Sequence, residues 1–194
     1  MNRAADVALA GLGLVVSAPA LAVAAAAVKL TDGGAVLYRQ RRVGKDGVEF
    51  ELLKLRTMVV GAECLGAGAA VDRDDSRITR VGRLLRRLSI DELPQLWNVV
   101  RGDMSVIGPR PTLAYQVERY TPHQRRRLEV KPGLTGWAQI HGRARLPWAE
   151  RIELDVWYVD HRSPLVDLRI LARTPLALVS GTYKGESGGW RDPA

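Results

Sequence analysis

With 194 residues and 46% hydrophobic side chains, the chain is long enough to bury one real core and short for more than one domain plus an anchor. A formal net charge of +8 favours anionic partners, whether phosphates, acidic lipid head groups or nucleic acid, and the composition excludes a low-complexity disordered chain. The single cysteine, Cys64, rules out an internal disulfide and any Cys-based metal cluster, and His123, His141 and His161 show no metal-ligand spacing.

Residues 7–28 carry no charge, and 22 positions suffice to cross a hydrocarbon core of about 30 Å at about 1.5 Å per residue. Three readings stay open from these residues alone. Arg3 and the Ala22-Val23-Ala24 triplet resemble a signal peptide, although Asp6 is awkward for it. A plain transmembrane helix is the second, weakened by nine alanines. The third is a bent, re-entrant helix. Pro19 removes a backbone donor near the middle, and Ser17 can donate its hydroxyl to a carbonyl freed by the kink.

Asp32-Gly33-Gly34 ends the apolar run. Residues 36–55 read as a β-hairpin, with Lys45-Asp46-Gly47 as its turn and Val48, Phe50 and Leu52 alternating with Glu49 and Glu51. Residues 61–70 are Gly- and Ala-rich, a helix end leading into a loop, and 72–76 are turn-like. From Arg77 a helix is expected, with Ile78, Val81, Leu84, Leu85 and Leu88 on one side and Arg80, Arg83, Arg86 and Arg87 on the other. Ser89-Ile90-Asp91-Glu92 has the form of a capping box, which places the start of the next helix near Asp91. Gly108-Pro109-Arg110-Pro111 and residues 131–136 are Pro/Gly loops, and 115–128, 148–159 and 164–179 read as helices, the last broken or kinked at Pro175. The polar, Gly-rich tail from residue 182 is expected to be flexible.

Asp91 and Glu92 are the residues with chemical promise. Adjacent helical carboxylates point about 100° apart, so one can act as nucleophile while the other positions a metal or a partner. A carboxylate that attacks phosphorus forms an acyl phosphate. Arg86, Arg87 and Arg110 are near enough in sequence to neutralise phosphoryl oxygens, and Lys54 with Arg56 offers cations on alternate strand positions. A Mg2+ ion would bridge a carboxylate and a diphosphate.

A series of motifs in one order then resembles the bacterial sugar transferases, the small monotopic phosphoglycosyl transferases. The stretches are Val36-Leu37-Tyr38-Arg39-Gln40, Lys54-Leu55-Arg56-Thr57-Met58, Ser89-Ile90-Asp91-Glu92-Leu93-Pro94-Gln95-Leu96-Trp97-Asn98, Gly102-Asp103-Met104-Ser105 with Val106-Ile107-Gly108-Pro109-Arg110-Pro111, and Lys131-Pro132-Gly133-Leu134-Thr135-Gly136-Trp137-Ala138-Gln139. Asp155 to Tyr158 and Ser163 to Leu168 complete it, so that the match spans about residues 5–180.

The resemblance implies an α/β fold: a single compact domain with a β-hairpin, interfacial amphipathic helices and an N-terminal re-entrant membrane helix. The division expected is an anchor over 1–32, a cytoplasmic catalytic domain over 33–181 and a tail over 182–194. It implies transfer of a sugar phosphate from a UDP-sugar to polyprenyl (undecaprenyl) phosphate at the inner membrane, with the site facing the cytoplasm. Asp91 would be the nucleophile, UMP the leaving group, and Glu92 and Mg2+ the helpers, with both carboxylates as metal ligands. Lys54, Arg56, Arg87, Arg110, Pro109, Pro111, Asp155 and Asp167 match substrate-binding positions. Ser17 and Pro19 match the bend, although family anchors carry Ser-Pro where this chain has Ala18-Pro19. Membrane lipids are expected partners and nucleic acid is not. Nothing in the pattern separates glucose, galactose and acetamido sugars, or sets an oligomeric state.

Overall fold

The computed structural model describes residues 2–62, 75–142 and 146–179. Cys64, most of the Gly/Ala-rich stretch and the tail lie outside them. The first element, α1 (Arg3–Asp32), is one long helix that starts on an Asn2 side-chain cap and ends at Gly33 in the left-handed conformation. Then β1 (Leu37–Val43) and β2 (Glu49–Leu55) form the expected antiparallel hairpin, with Leu37 opposite Leu55 and Arg39 opposite Leu53. Asp46 and Gly47 take the positive φ values that the turn demands.

Helix α2 (Arg80–Leu88) is capped by the Thr79 side chain and so begins three residues after the position read from the sequence. A 3-10 turn (Ile90–Glu92) leads into α3 (Gln95–Arg101). The capping-box expectation fails here. Ser89 adopts the left-handed conformation that ends α2, which turns its hydroxyl away from the following amides, and no side-chain cap forms. The regular helix therefore starts at Gln95, past the acid pair.

A second, two-stranded parallel sheet pairs β3 (Ser105–Ile107), for which no element was expected, with β4 (Gly133–Thr135), where a Pro/Gly loop was. Glycine makes this pairing possible: a Cβ on Gly133 would lie 2.0 Å from the Gly108 nitrogen, and one on Gly136 2.2 Å from the Gly108 oxygen. The helix expected over 115–128 is split into α4 (Ala114–Glu118), α5 (Pro122–Arg125) and a 3-10 turn (Arg126–Glu129). Thr121 and Gln124 form a capping box and Pro122 occupies the first turn, so the chain restarts there instead of continuing. Helices α6 (Trp137–His141), α7 (Trp148–His161) and α8 (Pro164–Val179, with Pro175 inside) complete the described residues.

The core gathers Ala10, Leu52, Leu96, Val99, Met104, Val106, Ile107, Trp137, Tyr158 and Ile170, so α1, the hairpin, α3, β3, α6, α7 and α8 all contribute to it. Mixed helices and small sheets around this core agree with the broad fold class. Asn98, fully buried on α3, stitches the edge of β2: its Oδ1 accepts from the Leu53 amide at 3.0 Å and its Nδ2 donates to the Glu51 carbonyl at 2.6 Å. That bond pair fixes β2 beside the 3-10 turn, and so fixes Lys54 beside Glu92.

Both ends of α1 are tied to the same body. At the start, the Arg3 guanidinium donates to the Val99 and Val100 carbonyls, and buried Asp6 accepts from the Ser105 hydroxyl and the Val106 amide, both at 2.8 Å. At the end, Asp32 pairs with Arg56, while Ala24 and Val28 pack with Leu55 and Leu85. The opposite face of the helix leaves Leu12, Val15, Val16, Val23 and Leu30 exposed by 62–86%. Ser17 donates to the Gly13 carbonyl at 2.6 Å, one full turn back. The carbonyl that Pro19 strips of its donor belongs to Val15, so the hydroxyl does not serve the bond expected of it.

Candidate active site

Asp91 and Glu92 share a backbone turn and burial, at 6% and 5% exposed, but not an electrostatic environment. Glu92 Oε1 receives the Arg110 guanidinium at 2.6 Å and the Lys54 ammonium at 3.4 Å. Among the described residues no side chain is paired with Asp91, and its Oδ1 is buried without a hydrogen-bond partner. Burial raises the Asp91 carboxyl to about 6, the like charge of Glu92 pushes it the same way, and Lys54, Arg86 and Arg110 pull it back. The result is a carboxylate ionised at neutral pH, poorly solvated and open to attack an electrophile, beside a second carboxylate occupied in holding two cations.

The cations come from separate elements. Lys54 projects from β2 on the side opposite Leu53 and Leu55. Arg110 sits on a loop held from several directions. The Pro109 carbonyl accepts from Gly133 at 2.8 Å, the Gly108 amide donates to Thr135 at 2.9 Å, and the Pro111 carbonyl accepts from Arg42 at 3.3 Å. Beneath it, the buried Arg127 guanidinium donates to the Arg110 carbonyl at 3.0 Å, to the Tyr120 hydroxyl at 2.6 Å and to Asp155. Pro109 and Pro111 are buried in this scaffold; only the Arg110 side chain reaches the acid pair.

Four candidates lie elsewhere. Arg56 follows the last residue of β2 and is captured by Asp32 and the Ala35 carbonyl, so it secures the end of α1. Arg87 is exposed on the outer face of α2, and it is Arg86 whose charge acts on Asp91 while its Nε donates to Thr57 at 2.8 Å. Asp155 is 2% exposed and paired with Arg127; burial lifts its carboxyl to about 6 against the pull of that guanidinium, which leaves the pair ionised at neutral pH. Asp167 accepts from the Tyr158 hydroxyl at 2.8 Å between α7 and α8. Arg86 was named in the sequence only together with Arg87, and Arg127 was missed as a site-supporting residue, because each lies in a run of arginines, where sequence does not tell the inward member from its neighbours.

Among the described residues no group of three or more His, Cys, Asp or Glu converges, so no all-protein metal cage exists there. An unpartnered Asp91 oxygen next to Glu92 does fit a hard divalent cation that takes its other ligands from a diphosphate and water.

An open apolar groove of about 590 Å³ lies between α1 and the hairpin. Leu14, Leu21, Leu53, Leu55, Pro94 and Trp97 are among its lining residues. Strand β2 divides it from the acid pair, since Leu53 and Leu55 face the groove and Lys54 faces the other way.

Comparison with known proteins identifies the family of the chain. The family model for bacterial sugar transferases matches residues 1–181. The chain is 50% identical over 149 residues to EpsL of Bacillus subtilis, an uncharacterised sugar transferase, covering 77% of this chain and 72% of that protein. It is 40% identical to the exopolysaccharide production protein ExoY of Rhizobium meliloti, over 94% of this chain and 88% of the other. It is also 44% identical to a UDP-glucose:undecaprenyl-phosphate glucose-1-phosphate transferase of Caulobacter vibrioides, over 92% and 70%. With a buried, unpaired aspartate beside a cation-held glutamate and a family match across nearly its whole length, the chain belongs to the bacterial sugar transferase family.

Proposed function

We propose that the protein transfers a sugar 1-phosphate from a UDP-sugar to polyprenyl phosphate, undecaprenyl phosphate being the acceptor named for relatives. The observation that carries this reading is the asymmetry of the acid pair. Asp91 Oδ1 attacks the β-phosphorus, the phosphorus–oxygen bond to the nucleotide breaks, and UMP leaves with the bonding electrons. An aspartyl phosphosugar remains. The acceptor's phosphate oxygen then attacks the same phosphorus and the Asp91 carboxylate is released. Arg110 and Lys54, held on Glu92, meet the charge of the diphosphate, and Arg86 adds to the field from α2. Asp91 and Glu92 would hold a Mg2+ ion, which would supply further charge neutralisation.

The same reading places the protein on the cytoplasmic face of the membrane with α1 in one leaflet. A crossing helix puts its ends on opposite sides of a core about 30 Å thick. Here charged groups near both ends of α1, Arg3 with Asp6 and Asp32, dock on one soluble body, and the exposed apolar stripe between them suits lipid. The acceptor's isoprenoid chain then has the apolar groove to enter, on the side of β2 away from Lys54.

The test is release of UMP by the purified chain from a panel of UDP-sugars with undecaprenyl phosphate and Mg2+. Turnover with a radiolabelled sugar phosphate trapped on Asp91 is the expected result. Turnover without any covalent adduct at that residue overturns the mechanism.

A further inference from the structure

We propose that Gln95 is a catalytic hydrogen-bond donor to the phosphoryl group that Asp91 accepts, an inference that rests on the transfer reaction proposed above. Gln95 is 2% exposed, and its Nε2 is buried with no hydrogen-bond partner. The 3-10 turn at Ile90–Glu92 runs without a break into α3, Leu93 and Pro94 keeping φ/ψ of −56/−34° and −59/−19° and the hydrogen bonds staying of the three-residue kind. On such a 3-10 path residues three apart line up, so Gln95 follows in line with Glu92 and lies about one turn beyond Asp91. Asp91 Oδ1 and Gln95 Nε2 are thus an acceptor and a donor one turn apart, both buried, and neither bonds the other.

The neighbouring amide shows what a structural amide looks like in this helix. Asn98, three residues on, uses its oxygen for the Leu53 amide and its nitrogen for Glu51 and Asp103. Glu92, three residues before Gln95, reaches Lys54 and Arg110. Gln95 lies on the face between them, towards the strand and loop that carry the site's cations, yet it bonds none of their atoms. A buried donor left open destabilises a fold, and leucine would fill the same volume without that penalty.

A ligand that satisfies both open atoms needs an electrophile for Oδ1 and an acceptor for Nε2. A phosphoryl group has both: phosphorus, and the non-bridging oxygens around it. As the bond from Oδ1 to phosphorus forms and the bond to the departing nucleotide phosphate breaks, those oxygens are where a fixed donor helps most. No proton moves at Gln95; the amide only donates.

The experiment measures single-turnover UMP release by the full-length wild type, Gln95→Leu, Gln95→Glu and Asp91→Asn, in detergent, together with each unfolding temperature. Gln95→Leu is expected to unfold no lower than the wild type while releasing UMP about 10²-fold more slowly, by the same factor for every UDP-sugar the wild type uses. Gln95→Glu, which keeps the shape and offers an acceptor, is expected to be slower still. Wild-type rates in Gln95→Leu overturn the inference alone. So does a fall in rate that tracks a fall in unfolding temperature, which marks a structural role, or a loss that varies with the sugar, which puts the contact on the sugar ring. No UMP release by the wild type from any donor overturns this inference and the transfer reaction together.

Discussion

Asp91 is stored in a state that destabilises the folded protein. Its carboxyl stands at about 6 against an ordinary value of 3.8, chiefly through burial. At about 1.4 kcal/mol per pKa unit, the ionised group destabilises the fold by roughly 3 kcal/mol above pH 6. The sign follows from linkage: with the folded value above the unfolded one, the effect is absent below about pH 4 and complete above about pH 6. Asp91→Asn should therefore abolish turnover and yet raise the unfolding temperature at pH 7.5, with the gain shrinking towards pH 4.5. Scanning calorimetry without divalent cations, at both values, checks it. A variant less stable than the wild type at pH 7.5 contradicts the reading. Glu92 is a different case. Glu92→Gln keeps the shape but weakens its hold on Lys54 and Arg110, so transfer should fall by about 10²-fold with the fold intact, as read by UMP release and circular dichroism. The acid pair, Lys54 and Arg110 were legible in the sequence because motif order names them. Arg56 lies against Asp32 and Arg87 on the outer face of α2, placements that alternation along a strand end or a basic helix does not reveal. Asp155 and Asp167 were recognisable as acidic positions, but only packing shows that each meets a buried partner from another element.

Elements were legible wherever the local pattern is also the whole cause. The hairpin is one case: alternation and a Lys-Asp-Gly turn suffice. Helices α7 and α8 are others. The stretch around Ser89 was misread since a serine followed by an acid three residues later caps a helix only if its own backbone is extended, and here φ is +57°. The parallel pairing of β3 with β4 had no local signal, because it depends on backbone contact between glycines about 25 residues apart. Asn98 is the element-scale pin that joins α3 to β2. Asn98→Ala removes three hydrogen bonds and strands the Leu53 amide and Glu51 carbonyl, so a loss of about 2–4 kcal/mol is expected in denaturant unfolding, with transfer lost in parallel. For α1, single cysteines at Asn2 and Thr31, in a chain with Cys64→Ser, test the docking of both ends. A membrane-impermeant maleimide should miss both in intact cells and label both in inverted vesicles. Labelling of one end alone in intact cells would show a crossing helix.

At the scale of the whole molecule, the transfer reaction proposed above brings two substrates of opposite solubility to one carboxylate, and β2 stands between the charged side and the apolar side. One side presents Lys54 to the acid pair, a charged setting that suits a soluble nucleotide sugar. The other side presents Leu53 and Leu55 to the open apolar groove bordered by α1. Trp97 borders that groove and is 52% exposed, so the fold does not depend on its burial. A charge placed there should interfere with the lipid and with nothing else. Trp97→Glu is accordingly expected to raise KM for undecaprenyl phosphate about tenfold or more. Its unfolding temperature should be unchanged, and so should the exchange of labelled UMP into UDP-sugar, which needs only the first half of the reaction. An acceptor cut to a few isoprene units reaches little of the groove, so it should be used by wild type and variant alike. If Trp97→Glu slows UMP exchange as much as it slows transfer, the groove serves the nucleotide side, and the division of labour across β2 is wrong. If long and short acceptors suffer equally, the isoprenoid chain does not pass Trp97 at all.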